Sequence, residues 1–293
     1  MHVDLPLVVV STLVGALVGL SGVGAGALLT PALMFFFSVR ASVAVTTDLV
    51  AALFIRPVAV AVHWRAGHLN VELVRYLCYG SVPGALVGTF VAHEIGPSWR
   101  AERALTAALA VALVVGATAL LARSVTTPAP ETGDDPPVRR LATVTVGALG
   151  GVMVGATSVG AGSLIVALLV VLYPTLSGRR LVGSDLAQSV PLTVAAALGS
   201  LFFGHLDATL TAQVVAGSLP GAIAGSLWSR RVKGTWLRRI IAATVLATGL
   251  RYLVTAAGPV VALSVALVGS IALTFAFAIR WRRRADASVP KAV

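Results

Sequence analysis

Long stretches without a charged side chain constrain this chain more than any other feature. Residues 5–39 and 141–177 contain no Asp, Glu, Lys or Arg, and about 20 consecutive apolar residues are enough for one helix to cross a bilayer. Only 11% of all residues are charged and 57% are hydrophobic, whereas a soluble domain is about 25% charged. This composition excludes a soluble domain and a disordered chain. We therefore predict an all-α, polytopic protein of the plasma membrane (the inner membrane of a bacterium) with about 8–10 membrane helices.

The two long uncharged runs are each longer than one membrane helix requires. As straight helices they would be about 50–55 Å long, against a hydrocarbon core of about 30 Å. A small-residue cluster interrupts each run near its middle, at 22–26 (GVGAG) and at 158–162 (SVGAG). Glycine weakens a helix and permits unusual backbone angles. We predict that each run forms two shorter segments, glycine-broken or re-entrant, joined at the cluster.

The second half of the sequence repeats the first at a near-constant offset. GSVPGALVG at 80–88 matches GSLPGAIAG at 217–225, and Asp48 matches Asp185. We therefore expect two homologous helical repeats and one extra membrane helix, although the sequence leaves open whether the repeats are parallel or inverted. The expected units are a first repeat at 1–125, a polar linker at 126–140, a second repeat at 141–258, a C-terminal helix at 259–280 and a basic cytoplasmic tail at 281–293.

Charge and motifs restrict the partners and the chemistry. The net charge of +11 comes from basic residues in short loops and in the tail. We interpret it as a determinant of topology and a contact with lipid headgroups, not with nucleic acid. A single cysteine, Cys78, excludes an internal disulfide and a cysteine-based metal site. HExxH, P-loop and GxSxG motifs are absent from the sequence, so we predict no enzyme, no cofactor and no metal site. The sequence is also compatible with a homo-oligomer.

Repeated units with broken membrane helices are typical of secondary transporters, in which the breaks meet near the midplane of the membrane. Helix N-termini attract anions, and the guanidinium of Arg56 can hold an oxyanion through two hydrogen bonds. The alternatives are that the glycines serve only close packing and that Arg56 extends to the interface. The predicted binding residues for a small anionic solute are Gly24, Gly26, Thr30, Thr47, Arg56, Ser158, Gly160, Gly162, Ser163, Ser184 and Gln188.

Two repeat-matched acids, Asp48 and Asp185, stand within apolar segments. Intramembrane charge is costly and is usually functional or paired. The sequences TTD at 46–48 and GSD at 183–185 also resemble helix starts, where such side chains cap free N–H groups. We therefore expect these acids to couple transport to protons or cations, to cap helices, or both. The GSxPGAxxG stretches are interpreted as structural, because small residues three and four apart let helices pack closely.

These motifs together resemble the TauE/SafE family of sulfite and organosulfonate exporters, also called domain of unknown function 81. The resemblance covers about residues 5 to 257 and rests on the two glycine clusters and the short motifs around them. The motifs are LLTP at 28–31, TDL at 47–49, RAGH at 65–68, GSVPG at 80–84 and GSDL at 183–186. It implies a secondary transporter of a small anion such as sulfite or an organosulfonate. Gln188 stands where the family leads us to expect histidine, and Arg56 where lysine is common.

Two other functions stay open at this stage. In a cation or metal permease, the repeat-matched Asp48, Asp185, His68 and His205 would line the path. We interpret the two histidines, which stand in short polar segments, as turn or interface residues. The other alternative is a non-transporting membrane subunit that acts with a partner protein.

Overall fold

A computed structural model describes residues 4–21, 25–64, 69–94, 99–125, 137–159, 164–173, 176, 178–203, 206–228 and 234–257. Within these ranges the chain is helical and contains no strand, which confirms the all-α prediction. The elements are α1 (Leu5–Ser21), a 3-10 turn (Ala25–Ala27), α2 (Leu29–Phe36), α3 (Ala41–Trp64), α4 (Val71–Glu94), α5 (Trp99–Val125), α6 (Arg140–Thr157), α7 (Leu164–Leu172), α8 (Gly178–Phe203), α9 (Ala208–Trp228) and α10 (Gly234–Ala257).

Both long uncharged runs break at their small-residue clusters, as predicted. The first run forms α1, the 3-10 turn and α2, and the second forms α6 and α7. At 1.5 Å per residue, α2 and α7 are about 12–14 Å long, so neither can cross a bilayer. The second break begins at Ser158, whose backbone is left-handed with φ 59° and whose N–H donates to the Val154 carbonyl. A left-handed residue at this position ends a helix.

The helix-capping prediction for the two acids is wrong. Asp48 lies about two turns inside α3, because this helix begins at Ala41, three residues after the left-handed Ser38. Asp185 lies equally far inside α8, which begins at Gly178. The free N–H groups of a helix are confined to its first turn. Both carboxylates are therefore too far along their helices to cap them.

Each half of the chain packs closely against the other through its small residues. Helix α1 lies along α9, and α4 lies along α6. The glycines of these helices face the backbone of the partner helix, where a Cβ atom would overlap a carbonyl oxygen. The contacts are Gly15 with Ser218, Gly19 with Ala222, Gly221 with Thr12, Gly80 with Val144, Gly88 with Val152 and Gly151 with Ser81. These contacts show that the glycines of the GSxPGAxxG stretches serve close packing, as predicted.

The register of these contacts also gives helix directions. Contact positions rise together along α1 and α9, and they rise together along α4 and α6, so each pair is parallel. Helix α4 is parallel to α8 as well. Ser81 bonds Gln188 near the middle of α4, and the Phe90 and Phe203 rings lie 5.7 Å apart near the two C-terminal ends.

The described helices present apolar side chains on their outer surface. Phe202 is 81% exposed and Leu227 is 72% exposed, as expected for helices that face lipid. By length and composition, three helices among the described residues suit a membrane crossing: Arg140–Thr157, Arg180–Phe203 and Ala208–Trp228. The chain is a multi-pass membrane protein.

Several predictions concern segments outside the described residues. They include most of the polar linker, at 126–136, the C-terminal helix at 259–280 and the basic tail at 281–293. His68 and His205 lie outside the described residues as well.

Replacing Gly221 by valine should destabilise the protein, because a side chain there would overlap the backbone of Thr12 on α1. Overpacking of this kind costs about 1–3 kcal/mol, and we expect it to appear as a lower unfolding temperature in detergent. The matched control is Ala224→Val on the exposed face of the same helix, which should leave the unfolding temperature unchanged. Equal unfolding temperatures for the two variants would contradict the close α1–α9 contact.

Candidate functional site

Buried polar side chains are concentrated on α3 and α8, which contact each other. Among the described residues, the buried charged side chains are Asp48 (0% exposed), Arg56 (6%) and Asp185 (1%). Gln188 and Ser189, which follow Asp185 on α8, are buried as well. These five residues form what we call the polar core.

The Asp48 carboxylate connects the two helix breaks. Its Oδ2 atom accepts a hydrogen bond of 3.2 Å from the Thr30 hydroxyl on α2, and it also accepts one from the Ser158 hydroxyl at the end of α6. Gly26, in the 3-10 turn of the first break, lies directly against the Ser158 backbone. A Cβ atom at Gly26 would also lie 2.9 Å from Asp48 Oδ2. The two breaks therefore contact each other, with Asp48 bonded to both.

The Arg56 side chain is buried in the same region. Its Nη1 donates to the Ser189 carbonyl at 3.2 Å, and Thr193, the repeat counterpart of Arg56, donates to that carbonyl at 2.6 Å. Nη2 is buried and makes no hydrogen bond to any described residue. Both Asp48 and Asp185 are near enough to attract the guanidinium electrostatically. Its burial excludes the alternative in which Arg56 extends to the membrane interface.

A hydrogen-bonded chain holds Asp185. The Gln188 Nε2 donates to Asp185 Oδ1 at 3.1 Å, and the Ser81 hydroxyl donates to Gln188 Oε1 at 2.8 Å. Sequence reasoning missed Ser81, which lies in a stretch interpreted as purely structural. The hydroxyl of Ser81 was the one sequence signal for this role, because alanine would be sufficient at a position that serves packing alone.

Thr47 and Ser184 are buried but bond to neighbouring helices. The Thr47 and Thr211 hydroxyls lie 3.2 Å apart, which joins α3 to α9. The Ser184 hydroxyl accepts a 3.1 Å hydrogen bond from the Asn70 N–H, next to the start of α4. Both side chains thus hold α3 and α8 against the helices of the other half.

Four predicted binding residues lie outside the described part of the chain: Gly24, Gly160, Gly162 and Ser163. In the described part, Gly26, Thr30, Asp48 and Ser158 form one set of contacts. Arg56 contacts Ser189, and Gln188 contacts Asp185. No group of three or more His, Cys, Asp or Glu side chains occurs there that could hold a metal ion. The arrangement is a buried cation, two carboxylates and several hydroxyl and amide groups at the junction of two broken helices.

Comparison with known proteins identifies the family. The family model for "Sulfite exporter TauE/SafE" matches residues 7–252. The chain is 34% identical over 251 residues to the "Probable membrane transporter protein YjnA" of Bacillus subtilis (strain 168), a match that covers 84% of this chain and 98% of that protein. No solved structure matches. The chain therefore belongs to the TauE/SafE family and is a membrane transporter.

Proposed function

We propose that this transporter moves a small oxyanion, sulfite or an organosulfonate, and that Arg56 binds it. The observation that carries the proposal is the buried guanidinium whose Nη2 has no hydrogen bond to the described residues. A guanidinium donates in a planar fork that fits the oxygens of an oxyanion. The description of the family as sulfite exporters supports this class of cargo.

The groups that contact Asp48 suit the chemistry of an –SO3 group. Such a group has three acceptor oxygens, and the hydroxyls of Thr30 and Ser158 are donors at the contact between the breaks. Both hydroxyls now bond the Asp48 carboxylate, which also attracts Arg56. An oxyanion with the same acceptor chemistry as that carboxylate can replace it on these donors. We expect the substrate to bind where Asp48, Arg56 and the two breaks adjoin.

We also infer that the two repeats are inverted. Helix α4 is parallel to α8, and the short connection at 204–207 requires α9 to run back along the direction of α8. Helix α9 is thus antiparallel to α4, its counterpart in the first repeat. Inverted repeats around a central site are a common basis for alternating access in secondary transporters.

This topology predicts that matched loops lie on opposite sides of the membrane. Leu69 precedes α4 and Leu206 precedes α9 at the matched position. Single-cysteine variants Leu69→Cys and Leu206→Cys, each made with Cys78→Ser, should differ in labelling of intact cells by a membrane-impermeant maleimide. One should be labelled from outside, and both should be labelled after permeabilisation, which is the control. Labelling of both from outside, or of neither, would indicate parallel repeats.

Arg56→Gln should strongly reduce anion uptake into liposomes, whereas Arg56→Lys should keep more of it because lysine retains the positive charge. A hydrogen bond to a charged group is worth about 1.5–3 kcal/mol, so we expect a loss of about tenfold or more in Arg56→Gln. The measurement is uptake of radiolabelled sulfite and methanesulfonate by the purified protein.

The matched control is Arg251→Gln. Arg251 is also an arginine within an apolar helix, but it is exposed and lies over the Phe35 ring, 4.7 Å from the ring centroid. This variant should transport like the parent protein. Equal uptake by the parent, Arg56→Gln and Arg56→Lys would remove Arg56 from the site. Movement of cations with no movement of any anion would overturn the oxyanion proposal in favour of a cation permease.

A further inference from the structure

We propose that Asp48 binds a proton together with the anion, so that the protein carries the two in the same direction. This inference rests on the proposed oxyanion function and adds its driving force. It follows from the charges of the polar core and from the contacts of Asp48 with the helix breaks.

The charges of the polar core oppose the binding of an anion alone. Among the described residues, the buried charged side chains are two carboxylates and one guanidinium. With both acids ionised, the core carries a net charge of −1 before any substrate enters. An anion would add a second negative charge in a region where charge is poorly solvated. Protonation of one acid makes the core neutral, so proton binding and anion binding must favour each other.

Along the helices that pack against α3, the charged residues other than Asp185 stand near helix ends. The 3-10 turn, α2 and α9 contain no Asp, Glu, Lys, Arg or His. Helix α5 has charged residues only near its ends, and α8 has two arginines in its first turn in addition to Asp185. Those residues are Arg100, Glu102, Arg103, Arg123, Arg179 and Arg180. The net charge around Asp48 therefore depends on Arg56 and Asp185.

The contacts of Asp48 connect its charge to the helix breaks. Thr30 and Ser158 both donate to one carboxylate oxygen, Oδ2, and Oδ1 makes no hydrogen bond to any described residue. Hydrogen bonds to an ionised carboxylate are about twice as strong as those to a neutral acceptor. Protonation therefore weakens the bridge between the breaks. It also removes a negative charge that attracts Arg56, which frees the guanidinium for the anion.

The corresponding donors are missing from the second repeat. At the matched positions, Thr30 is replaced by Val166 and Ser158 by Gly22, neither of which has a side-chain donor. Asp185 accepts a hydrogen bond from Gln188, which in turn is bonded by Ser81. The side-chain donors Thr30 and Ser158 therefore respond to the charge of Asp48, and this assigns proton binding to Asp48.

The test uses the purified full-length protein in liposomes with methanesulfonate, whose charge is constant over the working pH range. In the parent protein, a pH gradient should drive accumulation above the level reached without a gradient. Asp48→Asn mimics the protonated acid, so it should lose this gradient-driven accumulation while still exchanging internal for external methanesulfonate. In the control variant Arg251→Gln, which changes an exposed charge outside the polar core, accumulation should still depend on the pH gradient.

Proton uptake gives a second readout that does not require transport. Adding methanesulfonate to the detergent-solubilised parent protein in weak buffer should take up about one proton per bound anion, as the linkage requires. Asp48→Asn should take up none. If Asp48→Asn does not fold, absence of proton uptake by the parent alone overturns the proposal.

The outcomes separate this inference from the proposed function. Exchange of methanesulfonate without any effect of a pH gradient would overturn proton coupling and leave the anion function standing. Accumulation driven by a sodium gradient in place of the pH gradient would also overturn proton coupling and leave the anion function standing. Gradient-driven accumulation that survives in Asp48→Asn would overturn the assignment to Asp48. Absence of any anion exchange by the parent would overturn the anion function and the coupling together.

Discussion

Close backbone contact between the two halves of the chain is the constraint on which the rest of the structure depends. Helix α1 of the first half lies along α9 of the second, and α6 of the second lies along α4 of the first. In a lipid bilayer the hydrophobic effect hardly favours contact between two helices, so close packing must supply the attraction between them. The glycines make that distance possible, since a Cβ atom at Gly15 or Gly151 would overlap the opposite backbone. Because the halves exchange helices, neither can bury its own inner surface alone.

This interlocked packing brings a costly set of groups together at α3 and α8. Buried carboxylates and guanidinium groups are tolerated in a membrane protein when they are paired or hydrogen-bonded. Asp48 is bonded from both helix breaks, and Arg56 is bonded to the Ser189 carbonyl. The bonds of Ser158 to Asp48 and of Arg56 to Ser189 join positions 110 and 133 residues apart. A change of charge at Asp48 or Arg56 therefore acts on contacts between helices.

Local features of the sequence were sufficient for much of the fold, and long-range contacts were not predictable. The breaks in the runs at 5–39 and 141–177 follow from length and glycine content, and the structure has both. The start of α3 was misjudged because TTD at 46–48 has the composition of a cap, whereas the helix already begins at Ala41. The bond of Ser81 to Gln188 joins positions 107 residues apart. Such a pair depends on helix packing, which composition and periodicity do not encode.

The two halves keep matched residues where they pack and differ where the polar core is bonded. Gly80 and Gly217 are equivalent and both face a carbonyl oxygen of the opposite half. By contrast, Arg56 is matched by Thr193, although both donate to the Ser189 carbonyl. The close helix contact occurs twice, once between α1 and α9 and once between α4 and α6, so the glycines that allow it occur in both halves. A second arginine at Thr193 would place two buried like charges beside the same carbonyl, and the neutral threonine avoids this.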